Sequence, residues 1–140
     1  MQIVFPMTAL ATLTFAVLLL IPFRRFRAGL AGHATYDDYR FGESPQVPPE
    51  VSLPNRNMMN LLELPVLFYV ACLTHLATGP IDDRALLLAW AYVAPRVAHS
   101  AIHLTYNDVR HRLVAFAASN VALVMLWTNL LRTLPSGAAS

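Results

Sequence analysis

The sequence predicts an all-α integral membrane protein in which four transmembrane helices form a bundle. Charged residues make up only 13% of the 140 residues, whereas an ordinary soluble domain has about 25%. Three charge-free runs, 1–23, 64–81 and 113–131, each approach the roughly 20 residues that cross a bilayer. A further apolar segment is interrupted by an arginine. We predict a single domain with helices at about 3–23, 57–78, 83–106 and 111–132.

The first helix is predicted to be a retained membrane anchor. A signal peptide carries positive charge before its apolar run, whereas Arg24, Arg25 and Arg27 follow this one. All basic residues are arginines, and they concentrate in the first and third connections between helices. By the positive-inside rule, those connections are cytoplasmic and both termini are periplasmic. We expect the protein to lie in a bacterial inner membrane.

The only long connection, at about 24–55, is predicted to be a cytoplasmic loop. Long loops without regular structure are usually functional or disordered. A substrate lid, a subunit contact and a floppy loop all remain open for this segment. The C-terminal tail, 135–140, is expected to fray because nothing in its composition ties it down.

The second helix begins with a polar row formed by Arg56, Asn60 and Glu63. Their spacing of four and three residues places them on one helix face. Glu63 lies among leucines, where a carboxylate is costly unless it meets a cation or hydrogen-bond donors. The row predicts either a ligand-binding surface or interhelical hydrogen bonding. Pro65 follows it and is expected to bend the helix beside the row.

A second polar row, Arg96, His99 and His103, shares one face of the third helix. Ionisable groups at membrane depth face a partner or a water-filled cavity, so Arg96 is a candidate partner for Glu63. The histidines are candidates for hydrogen bonds to a ligand or to another protomer. Histidines four apart can also ligate a metal. However, no HExxH pattern and no third ligand accompany them, and we predict no metal site.

The fourth helix opens after Asn107 and Asp108, either of which is a plausible N-cap. Arg112 then lies in the first turn, where the helix dipole is positive. An arginine at a helix N-terminus can bind an anion or stabilise a thiolate. The alternative is an arginine that binds lipid headgroups and sets the orientation in the membrane.

Several classes of protein are disfavoured. Cys72 is the only cysteine, so an intrachain disulfide and a cysteine-based zinc cluster are both excluded; we expect Cys72 to be a small buried apolar residue. No basic patch is interleaved with aromatic residues on a soluble face, and nucleic-acid binding is not expected. The chain shows no inverted repeat of the kind found in many transporters.

Taken together, these residues resemble the MAPEG family, the membrane-associated proteins of eicosanoid and glutathione metabolism. The resemblance covers about Pro54 to Leu131 and looks like the bacterial branch. The motifs that carry it are Arg56-x3-Asn60-x2-Glu63-x-Pro65, Arg96-x2-His99-x3-His103 and Asn107-x4-Arg112. The resemblance implies a left-handed four-helix bundle assembled as a homotrimer. It also implies glutathione as a cofactor, bound between neighbouring protomers near the cytoplasmic side.

The resemblance also assigns roles to individual residues. Asn60 and Glu63 would hold the peptide part of glutathione, with Arg56 lining the same cleft. Arg112 falls where family members have the arginine that stabilises the thiolate, which makes it the candidate catalytic residue. The second polar row would supply further cofactor contacts. Arg96 would be a structural or substrate-side arginine, and His99 and His103 would contact the ligand.

The chain departs from the family pattern at the expected thiol site. His103, Leu113 and Phe116 stand where characterised members often have hydroxyl-bearing residues. Two functions therefore remain open. The first is a glutathione-dependent transferase or peroxidase that acts on lipophilic electrophiles. The second is a non-catalytic membrane protein that binds lipid or serves as a small subunit of a larger membrane complex.

Overall fold

A computed structural model describes residues 2–134, and the prediction for the tail at 135–140 lies outside them. The described chain is helical, with α1 at Val4–Leu30, α2 at Pro49–Leu62, α3 at Pro65–Thr78, α4 at Asp83–Leu104 and α5 at Val109–Thr133. The segments Val4–Leu30, Pro49–Thr78, Asp83–Leu104 and Val109–Thr133 are long and apolar enough to cross a membrane. The predicted all-α fold with four spans is therefore confirmed.

The helices surround one core in the apolar half of the bundle. α4 and α5 form an antiparallel hairpin, against which α1 and the α2–α3 segment pack. The core includes Leu10 of α1, Leu126 of α5 and Cys72 of α3, all of which are fully buried. Phe68 of α3 stacks on Tyr92 of α4 with ring centroids 4.6 Å apart. These contacts hold α3 against α4, the helix that carries the second polar row.

Two helices extend further than predicted on the side of the first connection. α1 continues to Leu30 instead of ending near 23, and α2 begins at Pro49 instead of near 57. A charge-free run shows how much of the chain lies in the hydrocarbon region, but the helix can continue beyond it. Arginine is a good helix former, so the arginines after Phe23 do not end α1. Proline is favoured at the first position of a helix, which explains the start at Pro49.

The connection between α1 and α2 is therefore 31–48, and it is folded rather than featureless. The Asp38 carboxylate accepts bonds from the Thr35 backbone N–H at 2.7 Å and from the Thr35 hydroxyl at 2.8 Å. These bonds hold the pKa of Asp38 below its ordinary value. Val47 joins Ala28 and Val51 in a small buried cluster. The connection is thus attached to both helices that flank it.

The predicted second helix is split into α2 and α3 at Glu63 and Leu64. Glu63 has φ −84° and ψ −99°, which is not helical, and Pro65 is the first residue of α3. Proline has no N–H to donate to the carbonyl four residues earlier, and its ring clashes with that turn. The break places the free carbonyls at the end of α2 beside α4.

Candidate functional site

The two predicted polar rows lie at different depths in the protomer. On α4, the side chains of Arg96, His99 and His103 are all buried, and Arg96 is only 1% exposed. On α2, Arg56 and Glu63 are exposed and Asn60 is half-buried. We call these two rows together with Arg112 the polar site. Its inner part belongs to the helix interfaces of the protomer, and its outer part lies on the protomer surface.

Arg96 contacts the end of α2, but it does not form the ion pair with Glu63 that the sequence suggested. The Arg96 Nη2 group donates to the backbone carbonyl of Asn60. That carbonyl is among the last of α2, where no helical N–H remains to satisfy it. A cation is favoured at a helix C-terminus by the dipole. The break at Glu63 leaves that side chain exposed instead, without an ion pair among residues 2–134.

The rest of the Arg96 guanidinium is available for another partner. Its Nε and Nη1 atoms are buried and have no hydrogen-bond partner among the described residues. The Phe116 ring lies 5.6 Å from the guanidinium carbon and the Tyr92 ring lies 6.0 Å from it. A buried cation that keeps free donors has a large unmet demand for an anion or an acceptor.

His99 links the polar row of α4 to the start of α5. Its Nδ1 atom lies 3.0 Å from the backbone oxygen of Arg112. Because a carbonyl oxygen only accepts hydrogen bonds, Nδ1 carries the proton, and in the neutral ring Nε2 is an acceptor. Nε2 is buried without a partner, as is Nδ1 of His103 on the next turn. Both rings therefore present a free nitrogen in the interior.

The α4–α5 turn holds Arg112 in place. Asp108 is the N-cap of α5, and its carboxylate accepts from the His111 backbone N–H at 2.9 Å, so one of the two N-cap candidates is identified. Asn107 has a different role: its Oδ1 accepts from Arg112 Nη1 at 2.8 Å. Asn107 adopts φ 51°, a left-handed conformation that asparagine tolerates better than most residues. The Arg112 Nε remains buried and unpartnered.

Sequence reasoning missed a buried polar pair next to the row of α2. Asn57 is fully buried, and its Oδ1 accepts from the Ser100 hydroxyl at 3.2 Å, which joins α2 to α4. Its Nδ2 has no partner. The signal was present, because Pro54, Asn57 and Leu61 are spaced by three and four residues and form the buried stripe of α2. An amide inside such an apolar stripe is a candidate for a helix contact.

The arginines that end α1 make contacts within the protomer. Arg24 donates from Nη1 to the Glu50 carbonyl at 2.6 Å and from Nη2 to the Leu104 carbonyl at 3.2 Å. It thereby ties α1 to the start of α2 and to the end of α4. Arg25 pairs with Glu43 at 2.9 Å. Arg24 and Arg25 therefore both have structural roles within the protomer.

The polar site as a whole is suited to bind an anion. It contains three arginines and one carboxylate. Unpartnered buried atoms lie on four of its residues, Arg96, His99, His103 and Arg112, and on the neighbouring Asn57. Within the described part of the chain, no group of three or more potential metal ligands is present.

A comparison with protein families finds a match. The family model described as "MAPEG family" matches residues 3–132, which include all five helices apart from Thr133. A search of curated proteins finds no match.

Proposed function

Because the chain belongs to the MAPEG family, which includes glutathione transferases and peroxidases, we propose that it binds glutathione at the polar site and uses it against lipophilic electrophiles. The observation that supports this most is the group of unpartnered buried donors and acceptors between α2, α4 and α5. Buried polar groups are normally satisfied, so these atoms call for a polar occupant.

The residues present fit glutathione. Its carboxylates and thiolate require cations and N–H donors, and the site offers three arginines against one carboxylate. Arg56, Asn60 and Glu63 bind the peptide part from α2. Glu63 accepts from an ammonium group, since it forms no ion pair within the described residues. Arg96, His99 and His103 contact the bound molecule from α4.

Arg112 stabilises the thiolate in this proposal. It lies in the first turn of α5, so its charge adds to the positive end of the helix dipole. Asn107 fixes one end of its guanidinium, while Nε stays free to donate. A thiolate held there attacks an electrophilic carbon in the transferase reaction. A carbon–sulfur bond forms, the bond to the leaving group breaks, and the leaving group takes the electron pair.

The first test is calorimetric titration of glutathione into the purified protein. We expect saturable binding that is weakened at least about tenfold by Glu63→Gln and by Arg112→Ala, which is the loss expected for a charged hydrogen-bond partner. Arg110→Ala is the matched control, because Arg110 lies one half-turn away and is exposed. Equal loss in Arg110→Ala would point to general charge effects. Absence of binding to well-folded protein would refute the proposal.

The second test is turnover with an aryl halide electrophile and glutathione. Arg112→Ala should abolish conjugation, whereas Arg110→Ala should retain it. Full activity in Arg112→Ala would rule out the proposed role for this arginine. The thiol should be varied in the same assay, since the charges of the polar site do not by themselves discriminate between anionic thiols.

A second candidate function, a non-catalytic lipid-binding protein or a small subunit of a larger membrane complex, is favoured by the apolar surroundings of the thiol position. Leu113 is exposed beside Arg112, and Phe116 lies 6.0 Å from the His99 ring and contacts Arg96 without a hydroxyl group. Under this function, the protein would copurify with lipid or with unrelated subunits and would conjugate no electrophile.

We also propose that the protein lies in a bacterial inner membrane with both termini in the periplasm. The orientation rests on the arginines at the end of α1 and in the first turn of α5, and the bacterial location rests on the resemblance of the sequence to the bacterial branch of the family. Alkaline phosphatase fused after Leu134 should be active in this orientation, and fusion after Gly42 should be inactive. The reverse pattern would overturn the orientation.

A further inference from the structure

An apolar groove lies at the membrane boundary, and none of its lining residues belongs to the polar site. It runs between the last turns of α1 and the 31–48 connection and has a volume of about 630 Å³. This is within the usual range for sites that take a small molecule. Pro22, Phe26 and Leu30 form its α1 side, and Ala34, Tyr36 and Tyr39 lie opposite. We call it the boundary groove.

The position of the groove matches the junction between acyl chains and headgroups. The charge-free run that begins the chain ends at Phe23, so Pro22 is still at hydrocarbon depth. Phe26 and Leu30 follow on the same helix and are 66% and 75% exposed. An occupant of this groove therefore meets an apolar surface at one end and the charged connection at the other.

Two polar atoms among the lining residues have no partner. Arg25 Nε and Tyr39 Oη are both buried and make no hydrogen bond among residues 2–134. The Arg25 guanidinium lies 4.5 Å from the centre of the Tyr39 ring, and Nη2 pairs with Glu43. A tyrosine hydroxyl keeps its proton at neutral pH and can donate it, and burial raises the pKa of Tyr39 further. Arg25 Nε and the Tyr39 hydroxyl are thus two neighbouring donors without acceptors among the described residues.

The charge of this region selects the type of occupant. Arg24, Arg25 and Arg27 lie within one turn at the end of α1, and only Arg25 has a carboxylate partner among the described residues. Clusters of arginine next to a membrane helix attract acidic lipids. The four arginines within 24–48 outnumber the three acidic residues there by one. Apolar walls, free donors and this small excess of positive charge are all complementary to a lipid with a negatively charged headgroup.

We propose that the boundary groove holds one acidic glycerophospholipid from the bilayer. An acyl chain lies along Phe26 and Leu30, and oxygens of the glycerol-phosphate region accept from Arg25 Nε and the Tyr39 hydroxyl. This site is separate from the proposed glutathione site, because none of its lining residues belongs to the polar site. Lipid binding can therefore succeed or fail independently of glutathione binding.

Gly29 provides a test that fills the groove. It lines the groove, its backbone has no unusual φ, and a Cβ there would meet only the Ala34 carbonyl at 3.8 Å, which is an ordinary contact. Gly29→Leu should occupy the space of the acyl chain, whereas Gly29→Ala should leave most of it open. Tyr39→Phe removes only the hydroxyl, and Tyr106→Phe is its control, because Tyr106 does not line the groove.

The protein would be delipidated, returned to bilayers of equal phosphatidylglycerol and phosphatidylcholine, and examined by native mass spectrometry for retained lipid. We expect one phosphatidylglycerol per protomer, reduced about fivefold by Tyr39→Phe and more strongly by Gly29→Leu. Gly29→Ala and Tyr106→Phe should match wild type.

Equal retention in Gly29→Leu and Gly29→Ala would overturn the proposal, as would equal retention of both lipids. Unchanged lipid with an altered subunit number in Gly29→Leu would assign the groove to a second copy of the chain and also overturn it.

Discussion

Asn107 combines a backbone role and a side-chain role at the turn that carries Arg112. Its φ of 51° lets the chain reverse between α4 and α5, and its backbone N–H donates to the Ile102 carbonyl at 2.8 Å. Its Oδ1 accepts from Arg112 Nη1. The two roles can be separated, because glycine adopts positive φ as easily as asparagine but has no side chain.

We predict that Asn107→Gly folds normally and weakens glutathione binding about fivefold, the value of one hydrogen bond. Asn107→Ala should weaken binding to the same extent and also destabilise the protein by about 1 kcal/mol, since alanine is strained at this φ. Calorimetry and thermal unfolding measure the two effects. Normal binding by Asn107→Gly would show that the asparagine does not position Arg112.

Asp108 makes the stability of the same turn depend on pH. The backbone N–H of His111 donates to its carboxylate, which lowers the pKa of Asp108 from its ordinary value. The folded state therefore favours the charged form. The stabilisation is fully present above the ordinary pKa and is lost as the pH falls below about 4 through the lowered folded value.

We predict that Asp108→Asn, which keeps an oxygen acceptor at the N-cap, loses part of this acid sensitivity. The thermal midpoint of wild type should fall more steeply than that of Asp108→Asn between about pH 4 and pH 2. Asp38 should contribute a residual slope of the same sign in both proteins, because its pKa is also lowered. Identical profiles would show that the cap does not contribute through its charge.

At the scale of helices, the break between α2 and α3 creates the acceptor that Arg96 uses. In an unbroken helix the Asn60 carbonyl would accept from the Leu64 N–H. With Pro65 starting a new helix, that carbonyl accepts from Arg96 instead. The position of a charged side chain on α4 is thus determined by a proline on another helix.

We predict that Pro65→Ala lets the helix continue through Glu63 and Leu64, raises the helical content and weakens glutathione binding about tenfold. The reason is that Arg96 would lose its fixed partner. Circular dichroism and calorimetry are the measurements. Pro22→Ala is the control, because Pro22 lies inside α1 without breaking it. If both variants bound equally well, the break would have no role in shaping the site.

The same helices show how far the sequence alone could lead. The row Arg96, His99 and His103 was predicted to face a partner or a water-filled cavity, because ionisable groups in an apolar helix have few other places to lie; all three side chains are buried, and what they face stays a prediction. The predicted ion pair between Arg96 and Glu63 was wrong. Residue spacing assumes an unbroken helix, whereas the break at Glu63 leaves that side chain exposed. Asn57 was missed because a single amide in an apolar stripe is a weak signal beside three polar residues on the next face.

At the scale of the whole molecule, the protomer leaves part of its polar site at the surface. Arg56 and Glu63 are exposed, and Met59 between them is 59% exposed. Only 17% of the most apolar stretch of α1 is buried. Lipid can cover the apolar area, but charged side chains near the bilayer need polar partners. The sequence pattern predicts that Arg56 and Glu63 share one helix face, but it does not show what that face contacts. A neighbouring protomer that covers the α2 face would provide partners for the charges.

We therefore predict that the protein is a homotrimer in mild detergent, with a mass of three protomers of 15.5 kDa each. Met59 shares the α2 face with Arg56 and Glu63, because the three are spaced by three and four residues. In a Cys72→Ala background, Met59→Cys should be linked between chains by a short bismaleimide, and the yield should not fall on dilution. Tyr36→Cys, which is more exposed than Met59 at 95%, controls for random collision. A monomeric mass would place the α2 face against lipid and leave Arg56 and Glu63 without a protein partner, whereas a trimeric mass with cross-linking at Met59→Cys no stronger than at Tyr36→Cys would place Met59 away from the three-fold axis.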